Sequence, residues 1–289
     1  MKKLSIIIPV FNEQEGLEKT IREMDGLLKT SEFEVEIVFV NDGSTDKSGE
    51  ILRGLVGRSY KVLHHETNQG YGAALKTGIK NASSEYICIT DADGTYPNGE
   101  ILKLAYMLTG DYSMVVGART GDVVRESLLR RFPKLILNKL ASYLSEISIP
   151  DLNSGLRVMK KDVVEKYVKI LPNGFSFTTT ITLAMLTNDY KVKYVPVNYF
   201  KRKGKSKIKP IRDTLNFIQL IIRTVLYFNP LKIFFPLSLF LILFAFLVLI
   251  GSWVQTGKAF DVTFGIILMT AVMVLAIGML ADLIDKRSQ

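Results

Sequence analysis

The sequence predicts an α/β domain built on a mostly parallel, Rossmann-like sheet, followed by an amphipathic membrane-interface helix and a hairpin of two membrane-spanning helices. Three observations lead there. Through residues 1–207, short β-branched runs alternate with helical patterns, the signature of parallel strands joined by crossover helices. Two apolar runs long enough to cross a hydrocarbon core lie near the C-terminus. A basic, amphipathic stretch precedes them.

In chain order, strands are expected from Leu4 to Val10, Val35 to Asn41, Tyr60 to His65, Tyr86 to Thr90, Met114 to Gly117 and Lys191 to Pro196. Helical patterns fall from Glu15 to Leu28, Lys47 to Leu55, Tyr71 to Asn81 and Glu100 to Leu108. Between Ile211 and Phe228, the apolar Ile211, Leu215, Ile218, Ile222, Val225 and Leu226 recur at helical spacing, with Arg212, Asp213, Asn216, Gln219 and Arg223 between them. Such a helix suits a membrane surface, and an ordinary core helix is the alternative. From Leu231 to Val254 the one charge is Lys232, and from Val262 to Leu280 there is none. The link between these runs is short, so they should form an antiparallel hairpin. The expected organisation is residues 1–207 as the α/β domain, 208–229 as the interface helix and 230–283 as the hairpin, with spans near 231–254 and 262–281.

Charge decides the class of partner. A net charge of +9 over 289 residues favours nucleic acid, anionic lipid headgroups or phosphorylated ligands. The densest positive charge, Lys201, Arg202, Lys203, Lys205, Lys207, Lys209 and Arg212, adjoins the apolar runs. That placement favours membrane and phosphate over nucleic acid. Lys286 and Arg287 follow the second run while the hairpin tip carries Lys258, so the positive charge places the large domain on the cytoplasmic side. Met1 to Val10 runs from lysines into a strand-like segment without a small-residue cleavage site, which speaks against a secretory signal peptide. The single cysteine, Cys88, sits in an apolar strand and reads as packing. His64 and His65 cannot build a zinc site without further ligands and read as structural or surface residues.

Sheets of this kind bind ligands beyond the carboxyl ends of their strands. Three successive strand ends carry polar residues there: Pro9-Val10-Phe11-Asn12-Glu13, Asn41-Asp42-Gly43-Ser44-Thr45-Asp46 and Thr90-Asp91-Ala92-Asp93-Gly94. In an extended segment, Asp91 and Asp93 point to one side, where one can take a divalent cation and the other orient it or bind a ribose. A plain turn is the competing reading, since Asp and Gly are common turn residues.

These segments, with Asn68-Gln69-Gly70-Tyr71-Gly72, resemble in order and spacing the family 2 glycosyltransferases of the GT-A fold, and within them the dolichyl-phosphate mannose and polyprenyl-phosphate glucose synthases. The resemblance covers nearly the whole chain. It implies that Pro9, Phe11, Asn12, Glu13 and Asp42 hold the nucleoside, with Gly70 and Ala92 supporting the nucleotide site. It implies that Asp91 and Asp93 serve ribose and metal, the metal being Mg2+ or Mn2+. Arg119, Arg125, Arg130, Arg131 and Ser154 would receive the acceptor phosphate, for which planar guanidinium donors are suited. Asn153, Ser154 and Arg157 would contact sugar or phosphate. The segment Arg202-Lys203-Gly204-Lys205-Ser206-Lys207 would close over the diphosphate through Arg202 and Lys207, and serves equally as a polybasic membrane anchor. In one respect the chain departs from the mannose synthases: Thr95 stands where they often carry Gln, which weakens the assignment to mannose.

The implied partners are a UDP- or GDP-linked sugar and a polyisoprenyl phosphate in the membrane, and a homo-oligomer is left open. A phosphate monoester is largely dianionic at neutral pH and needs no base. This accounts for the absence of histidine from every motif and leads to an inverting, single in-line displacement. Two rival readings are a processive polysaccharide synthase and a non-catalytic membrane scaffold. The first predicts a Gln-x-x-Arg-Trp motif, whereas the sole tryptophan, Trp253, lies in an apolar run. The intact Asp91-Ala92-Asp93 and Asn41-Asp42-Gly43 segments argue against the second.

Overall fold

A computed structural model of the chain describes residues 2–55, 59–108, 110–121, 147–174, 176–200, 229–257 and 262–288, together with residues 139, 142, 219, 222 and 226. It divides into two compact units, Met1–Ile218 and Gln219–Gln289. The expected interface helix over 208–229 lies almost wholly outside the described residues.

The first unit runs β1 (Lys3–Val10), α1 (Gln14–Thr30), β2 (Glu34–Asp42), α2 (Ser48–Arg53), β3 (Tyr60–His65), α3 (Tyr71–Asn81), β4 (Tyr86–Ile89), α4 (Ile101–Leu108), β5 (Met114–Ala118), β6 (Arg157–Lys160), α5 (Lys161–Tyr167), α6 (Phe177–Thr187) and β7 (Val192–Pro196). The seven strands form one sheet in the order β3-β2-β1-β4-β6-β5-β7. Every pairing is parallel except those of β6, which lies antiparallel between β4 and β5.

Alternation along the strands divides the core into two layers. Leu4, Ile6, Ile8 and Val10 of β1 face Leu17, Ile21 and Met24 of α1 and Ile101, Leu104 and Leu108 of α4. Ile7 and Val38 face Ala74, Leu75 and Ile79 of α3 and Phe177, Ile181 and Met185 of α6. Each wholly buried Leu or Ile contributes roughly 1.5–3 kcal/mol, so both faces are committed to helices and the ligand is left the strand ends. Cys88 joins the first layer, where burial pushes its thiol far up and leaves it inert.

Three elements were not expected. Strand β6 is four residues long with a charge at each end, too short for a period-two pattern. Helix α5 is also brief. Helix α6, Phe-Thr-Thr-Thr-Ile-Thr-Leu-Ala-Met-Leu-Thr, is rich in β-branched residues, and all but its last are buried, so it has neither helical propensity nor a polar face to read.

The second unit is a hairpin of α7 (Leu231–Thr256) and α8 (Val262–Ser288). Both are long and apolar enough to cross a membrane. Where they touch, side chains are small: Ala245, Ala271 and Ser238 are buried, the Ser238 hydroxyl donates to the Ala271 carbonyl at 2.9 Å, and a methyl added at Gly278 would run into Phe234 Cβ. Small contact residues of this kind let spanning helices approach closely. Phe240, Leu247, Val254, Val262 and Met269 are exposed, an outer surface matched to lipid.

Candidate active site

The β1–α1 and β2–α2 loops are sewn together at the carboxyl edge of the sheet. Pro9 sits next to last in β1, and β4 pairs only as far as Ile7. Its missing N–H therefore falls where the neighbouring strand has ended and costs the ladder nothing. Asn12 takes a positive φ of 52, a conformation asparagine tolerates. Its amide oxygen accepts the Thr45 N–H at 2.7 Å and the Asp46 N–H at 3.3 Å, and its own N–H donates to Ser44 Oγ at 3.1 Å. The Glu13 N–H donates to Ser48 Oγ at 3.0 Å. Phe11, Asn12 and Glu13 remain partly exposed at this edge.

Asp42, at the end of β2, is the hub of the next loop. Its Oδ1 accepts the Gln69 N–H at 2.9 Å and faces His65 Nδ1 at 2.7 Å; its Oδ2 accepts the Gly70 N–H at 2.8 Å and Asn68 Nδ2 at 3.0 Å. His65 Nε2 in turn lies 2.9 Å from Thr77 Oγ1. With only 3% of its side chain exposed, this carboxylate is spent on shaping Asn68-Gln69-Gly70 rather than offered to a ligand. Gly70 is needed there: its φ is 105, and a Cβ would lie 2.5 Å from the Asn173 carbonyl.

Beyond β4, Asp91 is partly exposed, while Ala92 and Asp93 are buried. Asp93 Oδ1 accepts the Thr95 N–H at 3.1 Å and its hydroxyl at 2.6 Å. The Tyr71 hydroxyl, carried by the first residue of α3, donates to Asp91 Oδ1 at 3.1 Å. Burial, then the Asp91 charge, push the Tyr71 phenol far above its ordinary value, so it remains a donor. No cluster of three His, Cys, Asp or Glu side chains fit to hold a metal occurs among the described residues. The segment turns at Ala92 and Asp93 instead of continuing extended, so the expectation that both carboxylates point to one side of a strand does not apply. Two carboxylates two residues apart in one turn still suit a hard divalent cation that completes its shell with phosphate and water.

From β5, Arg119 extends into a buried clamp. Its Nε and an Nη lie 2.7 and 2.8 Å from the two oxygens of Asp151, and its backbone N–H donates to the same carboxylate at 2.9 Å. Its guanidinium stands 5.3 Å from the Tyr199 ring centre. Burial would loosen the guanidinium proton, but Tyr96 and Asp151 outweigh it and push Arg119 above its ordinary value.

Ser154 and Arg157 are placed differently from their expected ligand-contacting roles. The Ser154 hydroxyl is wholly buried and donates to the Gly117 carbonyl at 2.5 Å. Arg157 is also wholly buried, with donors on the Ser154 and Thr178 carbonyls and the Thr182 hydroxyl. Both brace the 151–157 turn from behind. Asn153 is partly exposed and takes a hydrogen bond from the Thr179 hydroxyl. Arg125, Arg130, Arg131, Arg202 and Lys207 lie outside the described residues.

The residues that sequence reading left unassigned are Tyr71, Tyr96, Asp151 and Gly155; His65, expected to be structural or at the surface, is structural, bridging Asp42 and Thr77. Tyr96 holds the Gly155 N–H at 2.7 Å, fixing the turn beneath Asp91. Of these, Asp151 and Gly155 lie beside Asn153, Ser154 and Arg157, which the family resemblance marks, and Tyr71 lies in the glycine motif; their partners are distant in sequence.

The fold and the carboxylate edge are those of a GT-A transferase domain, and the chain belongs to glycosyl transferase family 2, whose family model matches residues 5–168. The GtrB C-terminal hairpin model matches residues 229–286, and with the two apolar helices it makes this a membrane protein. Similar curated proteins include an undecaprenyl-phosphate 4-deoxy-4-formamido-L-arabinose transferase of Pseudomonas savastanoi pv. phaseolicola, 28% identical over 73% of this chain and 62% of that protein. A dolichyl-phosphate hexose transferase of Haloferax volcanii is 27% identical over 72% and 87%. A dolichol-phosphate mannosyltransferase of Pyrococcus furiosus is 29% identical over 72% and 59%. The chain spans between 53% and 62% of the length of the first four relatives it matches. Among solved structures, glucosyl-3-phosphoglycerate synthase from Mycobacterium tuberculosis, in complex with Mn2+, uridine diphosphate and glucosyl-3-phosphoglycerate, is similar with a TM-score of 0.58 at 18% identity, over 78% of this chain and 79% of that one. At that identity the likeness is one of fold.

Proposed function

We propose that this protein transfers a hexose from a UDP- or GDP-linked sugar to a polyisoprenyl phosphate, with inversion at the anomeric carbon. The observation that carries the reading is the pair Asp91 and Asp93 beyond β4, held by Tyr71 and Thr95 beside the Arg119–Asp151 clamp. Family membership and relatives named for undecaprenyl- and dolichyl-phosphate transfer support it. The apolar hairpin supports a lipid acceptor, whose tail stays in the bilayer while its phosphate waits at headgroup level. Both helices span, and the excess of Lys and Arg outside the hairpin tip puts the large unit on the cytoplasmic side.

Phe11 to Glu13 line the nucleoside side of the edge, and Asp42 serves it by holding the Gly70 loop. Asp91 and Asp93 would hold Mg2+ or Mn2+, which when bound supplies charge neutralisation for the departing diphosphate. Arg119, oriented by Asp151, would meet the incoming phosphate together with Arg125, Arg130 and Arg131 of the same basic segment, which supply the net positive charge because Asp151 offsets that of Arg119. The acceptor dianion attacks without a base. Arg202 and Lys207 would cover the diphosphate.

The test is transfer of radiolabel from UDP-glucose, UDP-N-acetylhexosamine and GDP-mannose to polyprenyl phosphate in detergent, with Mn2+ or EDTA. Metal-dependent lipid-linked product from one donor, lost in Asp93→Ala, supports the reading and names the sugar. No product from any donor with folded protein sinks it, and an α-linked product by NMR sinks the single displacement.

A further inference from the structure

Asp91 is held from two sides by groups that carry no charge. On one side the Tyr71 hydroxyl donates to Oδ1 at 3.1 Å. On the other, a methyl group at residue 155 would stand 2.7 Å from Oδ2 and 3.0 Å from the carboxyl carbon, so the carboxylate packs directly over Gly155. Gly155 is itself fixed, because its N–H is taken by the buried Tyr96 hydroxyl at 2.7 Å.

Tyr71 is equally constrained at its root. The preceding Gly70 N–H is bound by Asp42, the Ala73 N–H donates to the Asn173 carbonyl at 3.0 Å, and a Cβ at Gly72 would run into the Pro172 carbonyl. The first turn of α3 is thereby held between the Asp42 hub and the 171–174 turn, which fixes the backbone from which the ring reaches Asp91. An aspartate has two rotatable side-chain torsions, and a carboxylate at a strand end is free to turn unless something fixes it.

We infer that Tyr71 is a positioning residue that sets the orientation in which Asp91 meets a divalent cation. The inference rests on the reading of Asp91 and Asp93 as the metal-holding pair. A hydrogen bond of this kind to a ligating carboxylate typically accounts for roughly 10-fold in metal affinity or more. Phenylalanine preserves the ring and its packing and removes only the donor.

The experiment measures Mn2+ binding to the full chain in detergent with UDP and, separately, with GDP, from the EPR signal of free Mn2+, for wild type, Tyr71→Phe, Gly155→Ala and Asp93→Asn, each compared with the nucleotide that gives the tighter wild-type binding. The expected result is an Mn2+ Kd raised roughly 10-fold in Tyr71→Phe, with the donor KM at saturating Mn2+ close to wild type. Gly155→Ala, which pushes the carboxylate from the other side while leaving the hydroxyl in place, should weaken Mn2+ similarly, and the double variant with Tyr71→Phe should lose less than the two single losses combined, since both act on one carboxylate; independent losses would overturn the inference. Wild-type Mn2+ affinity in Tyr71→Phe, with binding lost in Asp93→Asn, overturns the inference alone. Mn2+ binding that is absent from the wild type, or unchanged in Asp93→Asn, overturns the metal reading and the inference together.

Discussion

Replacing Asp42 by asparagine changes no volume, yet it should cost more than most substitutions at this edge. Each carboxylate oxygen accepts two donors: Gln69 N–H and His65 on Oδ1, Gly70 N–H and Asn68 Nδ2 on Oδ2. An amide offers one oxygen, and its NH2 must face one pair or the other. His65 can answer by changing tautomer and Asn68 by flipping its amide, but the Gln69 and Gly70 backbone groups have no such choice. In either orientation one backbone N–H confronts another donor inside a pocket where Asp42 is 3% exposed. An orphaned buried donor costs about 1–3 kcal/mol and each surviving bond loses its charge assistance, so the expected destabilisation is about 2–4 kcal/mol. Trp253 lies in α7 and does not report on this region. Urea unfolding of the full chain in detergent should therefore be followed by far-UV circular dichroism, and the loop by hydrogen exchange of a peptide covering residues 66–73. Stability of the Asp42→Asn protein within about 0.5 kcal/mol of wild type, the ordinary range for a surface change, with exchange unchanged over that peptide, would refute the accounting of donors.

Other expectations follow from the same geometry. Asp151→Asn removes the charge that balances the Arg119 guanidinium, which is 14% exposed, and should cost about 2–4 kcal/mol; a double-mutant cycle with Arg119→Gln should show the pair losing less than the sum of the single changes, and additive losses would mean the clamp does not couple them. Burial pushes the Glu36 carboxyl up, but hydrogen bonds from the Ser5 hydroxyl and the Ser83 N–H and hydroxyl outweigh it and hold it below its ordinary 4.5. Its contribution is therefore present above pH 4.5 and is lost as pH falls through the lower folded-state value. Glu36→Gln should flatten that part of the acid limb in a pH series of urea midpoints, and an unchanged limb would contradict the assignment. Gly278→Val drives a side chain into Phe234 and should lower hairpin stability by about 1–3 kcal/mol, read as the melting of α7 and α8 in detergent; wild-type melting would show that the helices do not pack through these residues.

Much of the architecture was legible locally. Strands β1 to β5 and β7, helices α1 to α4 and both long apolar helices announce themselves by period or composition within a few neighbouring residues. The motifs at the ends of β1, β2 and β4 were legible for the same reason, since the carboxyl edge of a parallel sheet is a known place for ligands. Strand β6 was not, because its four residues become a strand only when inserted between β4 and β5. Helix α6 was not, because complete burial erases the amphipathic pattern that marks a helix.

Within the site, the sequence determined which chemical groups are available: paired carboxylates at Asp91 and Asp93, the Asp42 strand end and the arginines that follow β5. Only the tertiary structure decided what each group faces. Asp42 turns inward to hold a loop, Ser154 and Arg157 are spent inside the fold, Arg119 finds Asp151 across 32 positions, and Asp91 finds Tyr71 across 20. Propensity and periodicity are properties of residues near one another in the chain, whereas a buried polar group takes its role from the donors and acceptors that sheet order brings to it, because leaving it unmatched costs more than any local preference supplies.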